Sequence, residues 1–144
     1  MRFPTDSGKT KLIVSSSSAV IEDIKHLQEW GSALVAYYYF DIKDVAKRDL
    51  RGLLASLIFQ LVDDSDSCWH TLHELYKACR DGSDQPSEPS LVKCLGSMID
   101  LLRRVSIYLF VDALDECPNT TGTPSPREKV LNFIHDLLQS DHHN

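Results

Sequence analysis

Two hydrophobic rhythms alternate along this chain. Leu50, Leu53, Leu54, Leu57, Ile58, Leu61 and Val62 recur three and four residues apart, which predicts an amphipathic helix. Ala33 to Phe40 is an unbroken apolar run rich in aromatics, and unbroken hydrophobicity suits a strand covered on both faces. Ser106 to Val111 repeats that pattern and predicts a second buried strand. Trp69, Leu72, Leu75, Tyr76 and Cys79 mark a second helix after an acidic break at Asp63 to Asp66. Leu91, Leu95, Met98, Ile99 and Leu102 mark a third, with Pro89 in its first turn. Ser125-Pro126-Arg127-Glu128 reads as a capping box opening a last helix through Val130, Leu131, Ile134, Leu137 and Leu138.

The connections read as loops where the punctuation is polar. These are Asp41 to Asp44, Gly82 to Ser90, Asp112 to Thr123 and the end Asp141 to Asn144. Residues 1–10 form a short polar, glycine-containing segment. Residues 11–28 carry a helical stripe of Leu12, Ile13, Val20, Ile24 and Leu27, broken by the poor helix interior Ser15 to Ser18 and stopped at Gly31. Strands separated by helices imply an α/β fold with a parallel sheet. Two strands are too few for a comfortable open sheet, so part of the sheet is expected to be missing.

Composition narrows the class. A chain of 144 residues with 42% hydrophobic and 25% charged side chains is one globular domain. A net charge of -6 argues against nucleic acid and against anionic membranes as partners. No apolar run reaches the roughly 20 residues of a membrane span, and the polar stretch after Met1-Arg2-Phe3-Pro4 leads to the expectation of no signal peptide. No two of the four cysteines, Cys68, Cys79, Cys94 and Cys117, have the Cys-x-x-Cys spacing. A zinc ribbon is therefore not indicated, and reduced thiols in a cytoplasmic setting are the expectation.

Two segments carry candidate chemistry. Ser7-Gly8-Lys9-Thr10 matches the tail of a phosphate-binding loop. In that loop glycine admits backbone amides to phosphate oxygens, lysine reaches the outer phosphates, and the hydroxyl binds Mg2+. A following helix would present its N-terminus to the anion. The loop's first glycine would fall at residue 3, where Phe3 stands, so the match is partial. Ile107 to Asp112 is an apolar strand ending in a carboxylate, the form that fixes an aspartate near Mg2+. Asp115 and Glu116 follow within a turn and are candidates to polarise an attacking water.

Other residues have plainer readings. His70 and His73 could share a helix face and a metal, but suit a half-buried surface better; His142 and His143 read as solvent-exposed. Tyr37 to Tyr39 suit a strand core better than base stacking, and Lys47, Arg48 and Arg51 suit a solvated helix start better than phosphate contacts.

The stretches SGKT, YYYFDIKDVAKRDLRGLLASLIFQL and IYLFVDALDECPNTTGTPSPREKVL together resemble NACHT-domain NTPases of the STAND class. The resemblance is to the nephrocystin-like N-terminal type, found in fungal proteins that carry ankyrin or other repeats. It runs from Ser7 to about Gln139. It implies a partial P-loop NTPase domain over 1–144, a three-layer fold whose parallel strands are flanked by helices, lacking the first strand and the C-terminal part. It implies a signalling switch that binds ATP or GTP with Mg2+ and works with other protein chains or repeat domains. By this resemblance Ser7, Gly8, Lys9 and Thr10 hold the nucleotide, Thr10 and Asp112 the metal, and Asp115 and Glu116 are catalytic. Hydrolysis belongs to the complete module and is not assigned to this chain. The alternative is a non-catalytic, truncated paralogue acting as a protein-interaction module.

Overall fold

Ser106–Asp112 (β3) forms the middle strand of a three-stranded parallel sheet in the computed structural model, which describes residues 10–14, 26, 33–102, 105–119 and 124–141. Thr10–Val14 (β1) and Ala33–Tyr39 (β2) flank it, giving the order β1-β3-β2. The α/β reading therefore holds, and the described sheet has one strand more than the hydrophobic pattern predicts. The expected helix over 11–28 is corrected at its start. Residues 11–14 continue the strand that Thr10 opens, in register from Thr10 opposite Ile107 to Val14 opposite Val111. Thr10, Ile13 and Val14 are β-branched and fit a pleated surface better than a helix turn. The serine break and the stop at Gly31 lie outside the described residues.

Parity along the strands explains why β2 and β3 are apolar without alternation. Ala36, Tyr38, Ile107, Leu109 and Val111 face one large core, and Val35 and Phe110 a smaller cluster on the other face. Tyr37 and Tyr108 pack on that second cluster, where the Tyr37 and Phe110 rings stack with centroids 5.3 Å apart.

The helices Leu50–Asp64 (α1), Asp66–Ala78 (α2), Glu88–Leu101 (α3) and Pro126–Asp141 (α4) all contribute to the large core. That makes two layers; a third is not among the described residues. Helix α1 buries Leu53, Leu54, Leu57, Ile58 and Leu61 as its spacing predicts. Each such burial stabilises the fold by roughly 1.5–3 kcal/mol. Asp49 caps α1 by accepting a bond from the Gly52 amide at 2.9 Å. Pro89 sits in the first turn of α3 behind the Ser87 cap.

Helix α2 departs from expectation. It begins at Asp66, so Ser65 alone separates it from α1, and Cys68 is its buried residue. Trp69 and Tyr76 point to solvent, while Leu72 and Leu75 pack on the core. The serine half of the capping box is present: Ser125 is buried, its Oγ accepts the Glu128 amide at 3.2 Å, and its hydroxyl meets Glu128 Oε1 at 3.3 Å.

The outer side of β2 is met by a side chain. Gln60 of α1 accepts from the Tyr37 amide at 2.8 Å and donates to the Tyr37 carbonyl at 2.6 Å. Gln60 Nε2 also donates to Ser56 Oγ at 3.0 Å.

Candidate functional site

The central strand delivers Asp112 to the carboxyl edge of the sheet, where ligands of open α/β folds bind. Asp112 lies opposite Tyr39, and its carbonyl accepts the Phe40 amide at 3.1 Å. Its side chain is exposed, and Oδ1 accepts the Ala113 amide at 2.8 Å. Ala113 then takes a left-handed conformation, φ 57° and ψ 41°. For a residue with a Cβ that costs about 1 kcal/mol or more, so the neighbouring contacts must hold it.

The turn that follows packs the acids close to the strand end. Leu114–Glu116 is a single 3-10 turn, closed by bonds from the Glu116 amide to the Ala113 carbonyl (2.8 Å) and from the Cys117 amide to the Leu114 carbonyl (3.0 Å). Leu114 packs on the core while Glu116 is half-buried. The Asp115 side chain lies outside the described residues. Cys117 ends the turn fully buried, and its thiol donates to the Arg48 carbonyl at 3.4 Å. Burial pushes the Cys117 thiol up; the Arg127 charge opposes that and Asp49 adds to it.

The turn is tied to α4 as well. Arg127 Nε donates to the Cys117 carbonyl at 3.1 Å, and the Arg127 amide to the Pro118 carbonyl at 3.0 Å. Ser125 Oγ meets Asn119 Oδ1 at 3.0 Å. Sequence spacing gave no sign of Cys117 or Arg127. Only their positions, one just after the acids and the other in the capping box, bring them near.

The phosphate-loop residues stand differently. Ser7, Gly8 and Lys9 lie outside the described residues. Thr10 opens β1 opposite Ile107, five residues before Asp112 along β3. At about 3.3 Å per residue the two are about 16 Å apart along the strand, so this arrangement does not bring Thr10 and Asp112 together.

Asp112 and Glu116 offer hard carboxylate oxygens. Mg2+ takes one or two of these and completes its shell with phosphate and water, so the acidic end suits the ion chemically. Among the described residues no group of three or more His, Cys, Asp and Glu is placed to hold a metal by itself.

The remaining candidates resolve into structure. His73 stacks on Trp69 at 5.0 Å and 8°, and His70 meets the same ring edge-on. Tyr38 is buried against Phe40, whereas Tyr39 is 56% exposed beside Asp112. Arg51 Nη1 donates to the Pro86 carbonyl at 2.6 Å, and Lys47 is exposed. His142 and His143 lie outside the described residues. A cleft of about 320 Å³ between α3 and α4, floored by Leu95, Gly96 and Phe133, includes none of the residues to which the sequence assigns candidate chemistry. Among the described residues no helix is long and apolar enough to cross a membrane.

A family model described as Nephrocystin 3, N-terminal, matches residues 4–144. No curated protein and no solved structure matches the chain.

Proposed function

The chain belongs to the nephrocystin 3 N-terminal family, and on that premise we propose that it is a nucleotide-binding module of a STAND-type signalling switch. The observation that carries this reading is Asp112, presented by the central buried strand at the carboxyl edge of a parallel sheet and followed at once by an acidic turn. Asp112 would hold Mg2+, with Glu116 or Asp115 orienting water, and Ser7, Gly8, Lys9 and Thr10 would hold the phosphates of ATP or GTP. Mg2+ would supply charge neutralisation of the phosphate oxygens. Thr10 lies at the far end of β3, so the reading requires Thr10 to stand elsewhere when nucleotide is bound. Its partners would be other protein chains or repeat domains in the cytoplasm.

That same separation favours a second reading, a non-catalytic module that acts through protein contacts alone. Calorimetric titration with Mg·ATP and Mg·GTP decides between them. Under the first reading the wild type binds, and Lys9→Ala and Asp112→Ala each weaken binding by about tenfold or more while keeping the fold. A folded wild type that binds neither nucleotide establishes the second reading.

A further inference from the structure

The acidic turn is fastened from two sides by residues that carry none of the candidate chemistry. On one side the buried Cys117 thiol donates to the Arg48 carbonyl, immediately before Asp49, the residue that caps α1. On the other, Arg127 reaches back from the first turn of α4 to the carbonyls of Cys117 and Pro118. Helix α4 is itself immobilised, with Val130, Phe133 and Ile134 in the core.

The placement of Arg127 runs against local preference. A cation in the first turn of a helix opposes the macrodipole, whose positive end lies there. The bond from Nε to the Cys117 carbonyl offsets that cost, and the guanidinium brings positive charge to a turn that carries Asp112, Asp115 and Glu116. The strain at Ala113 needs the same support, because a lone left-handed alanine persists only where its surroundings over-determine it.

Resting on the nucleotide-binding reading above, we propose that Arg127 is a positioning residue. It sets the Asp112–Cys117 turn for Mg2+·nucleotide through the Cys117 carbonyl, and the Cys117–Arg48 bond ties the same turn to the start of α1. Arg127 touches neither metal nor phosphate in this role. It acts only on the part of binding that passes through the acids.

The test compares wild type, Arg127→Ala and Arg127→Lys by hydrogen exchange and by nucleotide titration with Mg2+ and with EDTA. In Arg127→Ala the Glu116 and Cys117 amides exchange about tenfold faster, the amount expected for one lost charge-assisted bond. Affinity measured with Mg2+ falls about tenfold, and affinity in EDTA is unchanged. Arg127→Lys, which keeps a cationic donor, restores part of both. Unchanged exchange at Glu116 and Cys117 overturns the role of Arg127 whatever the nucleotide data show. Equal losses with and without Mg2+ also overturn it, since a general weakening of the fold acts on both. A wild type that binds no nucleotide under either condition overturns the nucleotide reading itself, and Arg127's role toward the metal with it, while the exchange data still report on the clamp.

Discussion

At residue scale the tightest constraint is at Gly52. A Cβ there would lie 2.1 Å from the Ala46 carbonyl oxygen and 2.7 Å from the Tyr38 hydroxyl. The backbone atom cannot swing away as a side-chain tip can. Gly52→Ala should therefore cost about 2–3 kcal/mol despite alanine's better helix propensity, measured as a lower urea midpoint with an unchanged slope. The Tyr38 hydroxyl donates to that same Ala46 carbonyl, and burial, with Asp49, Cys117 and Asp44 nearby, holds its ionisation well above the usual range. Burial likewise raises Cys68 and Cys94 from the ordinary 9.0. A folded pKa above the unfolded one gives stability that is complete below the unfolded value and lost as pH rises. Chemical denaturation from pH 8 to 11 should show falling stability that begins near pH 9, where the unfolded thiols ionise first. A flat profile to pH 11 would show that these thiols are not held neutral.

At the scale of elements, β2 is the outer strand of the described sheet, and a side chain meets its outer edge at Tyr37. The Gln60 amide pairs with both backbone groups of Tyr37 as another strand would. Gln60→Leu should cost about 1–3 kcal/mol and raise concentration-dependent association in sedimentation, because an open edge invites pairing. Gln60→Glu keeps only the acceptor for the Tyr37 amide and should fall between. Stability equal to wild type in the leucine variant would show that water serves Tyr37 as well.

Elements whose apolar period is long were legible from sequence. The leucine ladder of α1, the apolar runs of β2 and β3, the capping box of α4 and Asp112 at a strand end all follow from spacing. Where a few residues decide, spacing failed. Five residues, Thr10 to Val14, gave too short a window to separate strand from helix, and the serines after them blurred it further. Helix α2 misled because Trp69 and Tyr76 are large and apolar yet stack with His73 at the surface, while the small Cys68 fills the core. At the candidate site, sequence offered the acids. The left-handed Ala113 and the hold of Arg127 on Cys117 arise from tertiary contacts that no local pattern encodes.

At the scale of the whole molecule, charge and exposed apolar surface pull against each other. Val45 is 69% and Phe59 62% exposed, and Tyr39, Ile42, Trp69 and Tyr76 also face solvent. A net charge of -6 opposes association through these side chains, and it vanishes near pH 5.4. Light scattering at low salt should show a sharp rise in particle size as pH falls from 8 to 5.4, reversed on returning to 8. A size that stays constant would show that the exposed groups are too scattered to associate.

The strand order carries a further consequence, in the time domain. Ile107 stands opposite both Thr10 and Leu34, so in the described sheet β1 and β2 are joined through a strand that comes after both in the chain. During synthesis neither earlier strand has its partner until the ribosome has released most of the domain. Two wide loops must then close almost together, and wide loops close slowly. The nascent chain thus carries two adhesive segments for many seconds, at about 5–20 residues per second, which makes the order of emergence itself a hazard that a chaperone would relieve.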